Sequence, residues 1–436
     1  MHPIFFIFVA LIDDDVFKTF VSFMNRLQHF ALTFISCAAV LMSACQHDDD
    51  EATDPQNLLT FQVDADATVG DEGWIFATDE TGKVLDVSTF TAGSTTTLVG
   101  TSHVSEFNVT VLTVEKIVFS GGTTEFATYK LGTYTKLQPG ATLHQKADAD
   151  PSQPTSYYSA TFNVANMNAL QDAISFSNGY GSNFGGIIDD SGGKYNARLN
   201  LAGSAPSDVL LWGFRGTEPA YAWAKGVKQS DVINLDFTKD FATMPHLTQL
   251  NFPGMNKATI DGLKASTGKT YRLMDTHLLT NASDSYQPTI GYIDGFDSYQ
   301  TMIWNRRANG IVLYSKVGTV NIPASLPTFT FSAIKSDLRD FAFNFSEDYT
   351  YYIASWKYTS AYQTTFWSVI GPPNTTAKGL ALPDEITAKY PDIDMSKAVY
   401  FGVNYAKILS GGSYAELMTG GIGEWDPQES IVYSPY

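Results

Sequence analysis

The chain has 436 residues, of which 44% are hydrophobic and 17% charged, and its formal net charge is −18. Such acidity repels phosphate backbones and argues against nucleic acid as a partner. Its two cysteines are Cys37 and Cys45, so the body beyond them can form no disulfide, thiolate metal site or cysteine nucleophile. Taken in chain order, residues 1–23 come first. They join a short apolar run, Ile4–Ile12, to Asp13, Asp14 and Asp15. Three carboxylates do not enter a bilayer core without a large penalty. These residues are expected to be a misassigned start, with Met24 the true first residue.

Residues 24–44 open with Met24, Asn25 and Arg26 and continue as an apolar-to-small run from Phe30 to Ala44, directly before Cys45. A basic start, an apolar centre and small residues at the cut make a secretory signal. Met42-Ser43-Ala44-Cys45 resembles the lipobox of bacterial lipoproteins, with methionine where leucine is usual. The resemblance implies acylation of Cys45 and attachment to a membrane through the N-terminal lipid. Residues 45–57 form a polar segment containing Asp48, Asp49, Asp50 and Glu51, similar to the acidic export tether of surface-exposed outer-membrane lipoproteins. The implied location is the outer membrane, facing the cell exterior. An acidic run of this kind stays solvated, which suits a flexible tether. Residues 1–44 hold two of the 27 basic and three of the 45 acidic residues, leaving the mature chain at −17.

Beyond the tether the sequence predicts an all-β protein, built of tandem β-sandwich modules of immunoglobulin-like or transthyretin-like size with a few short helices. It is rich in Thr, Tyr, Phe and Val, which suit a half-buried pleated surface, and is punctuated by Gly and Pro. Residues 58–145 are expected to form an N-terminal sandwich. In it, Trp74–Thr78 and Lys83–Val87 make a hairpin turning at Gly82, and Phe107, Val109 and Val111 share one face of a strand. Residues 146–156, with two prolines and no large apolar residue, read as a linker. Residues 157–436 read as a larger β-rich region of one or two modules. Its expected strands are Tyr157–Val164, Val209–Phe214, Ala220–Ala224, Val232–Phe237, Ile311–Val317, Thr328–Phe331, Phe341–Phe345, Tyr349–Trp356, Thr364–Ile370 and Val399–Val403. Met167, Leu170 and Ile174 have helical spacing behind Asn166, and Pro383 with Asp384 and Glu385 marks a second helix start.

Motifs that would carry catalysis are incomplete. Gly291-Tyr-Ile-Asp294-Gly295-Phe296-Asp297 resembles the start of the aspartate-rich strand of chitinase-like glycoside hydrolases. Tyr299 and Thr301 stand where that family needs an aspartate and its glutamate acid, so the leaving group has no proton donor. Asp190-Ser191-Gly192 is the triplet of aspartic proteases, which need two such aspartates. Asp64, Asp66, Thr68 and Glu72 alternate as calcium ligands do, but glycine comes at Gly70, one place late, and the flanking helices are absent. The mature histidines, His47, His103, His144, His246 and His277, have no zinc spacing. No cofactor is implied.

Aromatic residues make up 14% of the chain. Tyr221, Trp223 and Lys225 alternate with small residues on one face of a strand, and the lysine predicts that this face is wet. Trp356, Tyr358 and Tyr362 cluster further on. Exposed rings on strands serve recognition, so Tyr221, Trp223, Trp356 and Tyr358 are the candidate ligand-binding residues, with no catalytic or metal residue assigned. The expected role is binding extracellular glycan or protein, or serving as accessory to an outer-membrane complex. The competing class is a hydrolase whose carboxylates converge only in the fold.

Overall fold

The structure is a computed structural model and describes residues 54–100, 104–118, 125–147, 156–167, 174–180, 182–184, 193–276, 287–374, 380–419 and 428–436. Cys45, the acidic residues Asp48, Asp49, Asp50 and Glu51, and Asp190-Ser191-Gly192 lie outside the described residues, and the strand Gln56–Val63 begins inside the segment 45–57 expected to be a tether. The chain is nearly all β, at 62% strand and 5% helical, in several sheets. Among the described residues no helix is long and apolar enough to cross a membrane.

The largest sheet has twelve strands. From edge to edge they are Lys269–Asp275, Met255–Lys264, Ser298–Arg307, Gly310–Gly318, Glu429–Pro435, Val399–Ile408, Tyr351–Thr359, Gln363–Gly371, Glu125–Leu137, Phe107–Val118, Glu72–Thr78 and Val84–Phe90. Gln363–Gly371 and Glu125–Leu137 run parallel, whereas the other neighbours are antiparallel. The sheet therefore crosses the expected boundary at 146–156 and hydrogen-bonds the N-terminal segment to the C-terminal third.

Two smaller sheets make sandwiches against larger ones. Thr95–Gly100, Gln56–Val63 and Ala141–Gln145 form a three-stranded sheet. Its Leu59, Phe61, Val63, Leu98 and Leu143 pack with Ile75, Ala77, Val109 and Leu137 of the large sheet. A C-terminal helix, Tyr414–Thr419, closes the same core with Tyr414, Leu417 and Met418. The Tyr414 hydroxyl donates to the carbonyls of Thr135 at 2.7 Å and Ile370 at 3.1 Å, one on each side of the parallel pairing. The hairpin predicted around Gly82 is present. Gly82 takes φ +90°, and the Asp79 side chain accepts from the Thr81 and Lys83 amides at 2.8 and 3.0 Å.

The second sandwich pairs a three-stranded sheet with a five-stranded one. The first contains Tyr195–Ala202, Tyr157–Ala165 and Val232–Asp236, and the second contains Ser182–Phe184, Ile174–Ser177, Ser207–Arg215, Glu218–Val227 and Ala242–Thr243. The run Val209-Leu-Leu-Trp-Gly-Phe214 is apolar on both faces because both are covered. Val209 and Leu211 enter the sandwich core, while Leu210, Trp212 and Phe214 enter the main core against the large sheet. The five-stranded sheet is thus the middle layer of three.

Three local expectations change. Ile174 opens the strand Ile174–Ser177 rather than closing a helix: Ile174 and Phe176 alternate into the sandwich core, with Ser175 and Ser177 buried on the other face; residues 168–173 lie outside the described residues. The strand expected at Thr328–Phe331 begins at Phe331 and pairs with Asp340–Phe345. The segments Met255–Lys264, Lys269–Asp275 and Ser298–Arg307 add strands where none was expected. The helix expected at Pro383 is Asp384–Lys389.

Candidate functional site: an aromatic run at the sheet junction

Along Glu218–Val227, Ala220, Ala222 and Ala224 point into the second sandwich, which their small size lets the neighbouring sheet approach. Tyr221, Trp223 and Lys225 take the opposite face, toward the end of the large sheet. Tyr221 and Trp223 are half-buried there and Lys225 is exposed. Trp223 begins a continuous run of rings. It meets Tyr271 edge-on at 5.3 Å between centroids, and Tyr271 meets Phe296 at 5.9 Å. Phe296 meets Tyr299 at 6.0 Å, Tyr299 meets Tyr292 at 5.3 Å, and Tyr292 stacks on His246 at 4.5 Å. Tyr271 is buried, and the other five are partly exposed. Trp223, Tyr292, Phe296 and Tyr299 rest their inner sides on the main core.

Backbone features hold these rings in place. Gly262 lies beneath Phe296, and a Cβ there would meet the ring at 2.6 Å. The Tyr299 hydroxyl donates to the Ile293 carbonyl at 3.0 Å. Burial pushes the Tyr271 hydroxyl up to about 12, so it stays neutral at physiological pH.

Cations decorate one end of the run. Lys225 Nζ lies 4.2 Å from the Trp223 ring centroid and donates to Asp208 at 2.9 Å. Lys264 Nζ is 5.5 Å from each of the Trp223, Tyr271 and Phe296 rings. Cation–π attraction of this kind contributes about 0.5–1 kcal/mol at an exposed site. Burial raises the Asp208 carboxyl, but hydrogen bonds from Lys225 and the Gly226 amide outweigh it and leave the group below its ordinary range. At the other end, His246 Nε2 lies 2.9 Å from an Asp294 oxygen.

The second aromatic pair behaves differently. Trp356 has no exposed surface, and its indole N–H donates to the Ser336 carbonyl at 2.7 Å. Phe341 packs on it at 4.9 Å, so this ring is core and offers no face to a ligand. Its hydrophobic face is covered by the hairpin Phe331–Asp337 and Asp340–Phe345, which the sequence does not place over it. Tyr358 is half-buried under Lys397, whose Nζ is 5.6 Å from its ring. Tyr362, the third member of that cluster, is 65% exposed.

The near-miss motifs have structural partners. Asp297 accepts from the Ala265 amide at 2.8 Å and Asp294 engages His246, so Gly291–Asp297 shapes the turn that carries Tyr292 and Phe296 into the aromatic run. Asp64 accepts from His144 at 2.7 Å and from the Ala147 amide at 3.0 Å. Among the described residues, no group of three or more His, Cys, Asp and Glu side chains is placed to hold a metal ion.

Among the described residues, Asp261 and Asp275 are buried carboxylates. Arg272 donates through Nε to Asp261 and through Nη1 to Asp275 at 3.1 Å. Burial pushes the Asp261 carboxyl up, against the attraction of Arg272. Burial also opposes charge on Arg272, but the two carboxylates outweigh it and keep the guanidinium protonated. Both acids are thus committed to one internal cation, an arrangement suited to ion pairing rather than to proton transfer.

Comparison with protein-family models and with curated proteins finds no match to this chain.

Proposed function

We propose that this is a lipid-anchored cell-surface protein that binds extracellular glycan through the aromatic run from Trp223 to His246. The run itself is the observation that carries this reading. Sugar rings present apolar C–H faces that stack on aromatic faces, and each such contact contributes on the order of 1 kcal/mol. Several rings in series therefore supply affinity that one ring cannot. The lipobox-like Met42–Cys45 and the acidic segment behind it support the surface location.

The test is retention of the mature protein, held in detergent, during electrophoresis through gels containing individual polysaccharides. Wild type is expected to be slowed by at least one polysaccharide. Trp223→Ala and Phe296→Ala should each weaken that retention about fivefold, the equivalent of one stacked ring. Migration unaffected by any polysaccharide would overturn the glycan reading. Cleavage of the retained polymer by the purified protein would replace it with the hydrolase reading.

A further inference from the structure

A separate surface lies on the far side of the second sandwich. On the strand Tyr157–Ala165, Tyr158, Ala160, Phe162 and Val164 enter the core, which sends Tyr157, Ser159, Thr161 and Asn163 outward. Register places Asn200 opposite Ser159 and Arg198 opposite Thr161. It also places Asn196 and Asn234 on either side of Asn163. Asparagine is depleted in strands because its amide competes for backbone hydrogen bonds. Here three occupy one row across all three strands, where Asn196 donates to Asn163, and Asn163 donates to Asn234 at 2.7 Å.

At one end of this face is an open depression of about 450 Å³, lined by Tyr157, Tyr158, Ser159, Asn200 and Gln229. Ligand-sized sites commonly span roughly 300–1,000 Å³. Tyr157 stands 67% exposed at its rim. Its floor is fixed: Ser159 Oγ accepts from Arg198 at 2.9 and 3.1 Å, and the Ser159 amide donates to Gln229 at 3.0 Å. The nearby carboxylates are engaged in their own turns. Asp231 accepts from the Lys228 amide at 2.7 Å, and Asp236 from Thr238 Oγ1 at 2.7 Å.

We infer that this depression is a second glycan subsite, specific for a neutral, hydroxyl-rich sugar chain. An amide donates and accepts at once, as adjacent sugar hydroxyls do, and the five lining residues are uncharged, the Arg198 guanidinium beside them being bound to Ser159 Oγ. Tyr157 supplies the stacking ring. The site rests on the glycan-binding reading above but is physically separate. Packed sheets stand about 10 Å apart, and the sandwich lies between this face and the one bearing Trp223. A single sugar unit therefore does not touch both, while a polymer bound at both gains avidity.

The experiment uses the mature protein in gels containing a neutral glucan, a neutral galactomannan or a polyuronate. The variants are Tyr157→Ala, Gln229→Ala, Trp223→Ala and Tyr157→Ala with Trp223→Ala, each checked for an unchanged melting temperature. Tyr157→Ala should weaken retention by a neutral polymer severalfold, and the double variant should abolish it. Wild-type retention of Tyr157→Ala on both neutral polymers, with Trp223→Ala impaired, would overturn the second subsite and leave the glycan reading standing. Preferential loss of polyuronate retention in Tyr157→Ala would overturn the neutral specificity. Failure of wild type on every polymer would overturn the glycan reading itself.

Discussion

Two tryptophans that look alike in sequence have opposite fates. Trp223 and Trp356 each sit mid-strand among alternating residues, yet Trp223 is half-buried and Trp356 is fully enclosed. Trp356→Ala should cost about 3–5 kcal/mol of stability, as deletion of a buried indole does. Trp223→Ala should cost much less, and urea denaturation of both variants checks the contrast. Equal losses would mean that Trp223 is core as well. Arg272 supports a further prediction. Its removal strands Asp261 and Asp275, both buried. Arg272→Leu should destabilise by about 3–5 kcal/mol, because a buried charge loses its partner. An unchanged denaturation midpoint would show that the three groups do not form an ion-paired unit.

At the level of elements, the short helix Asp384–Lys389 is tied to the N-terminal segment through one carboxylate. Glu72 accepts from Lys389 Nζ and from the Tyr390 hydroxyl at 2.6 Å, and the Trp74 indole donates to that hydroxyl at 3.2 Å. Burial raises the Glu72 carboxyl, but the hydrogen bonds from Lys389 and Tyr390 outweigh it and leave the group below its ordinary value of 4.5. A depressed carboxyl stabilises the fold above its unfolded value, and that stability is lost as pH falls through the folded value. Glu72→Gln should therefore lower the melting temperature at pH 7 and flatten its decline below about pH 4.5. A wild-type pH profile in this variant would remove Glu72 from the acid response. Much at this scale was legible: the hairpin at Gly82, the helix at Pro383 and the strand Glu218–Val227 follow from local chemistry. Met255–Lys264 was not, because its inward face is flanked by Asn256 and Lys264 and holds one large apolar residue, Ile260. Its inward residues are Ala258, Ile260 and Gly262, two of them small, and Gly262 is chosen for the ring above it.

For the molecule as a whole, the twelve-stranded sheet has the largest consequences. Residues 58–145 share a parallel pairing with Gln363–Gly371 and a core with Tyr414–Thr419. Expressed alone, this segment would expose that edge and that core. It should then lack a cooperative thermal transition, while the full chain has one that includes it; calorimetry distinguishes the outcomes. At the same scale, Cys45→Ser should abolish lipid labelling and release the protein from the outer-membrane fraction, since two or more acyl chains are needed for stable anchoring. Continued labelling would refute the lipobox reading. The sequence by itself determined the all-β class and the alternation that separates Trp223 from Ala222. These follow from residue types within a few positions of one another. Only the tertiary structure decided that Trp356 is enclosed, that the expected boundary is bridged, and that rings from Trp223, Tyr271, Phe296, Tyr299, Tyr292 and His246 form one run. Each depends on pairing between segments distant in the chain, where the energy resides in burial and register that no local pattern encodes.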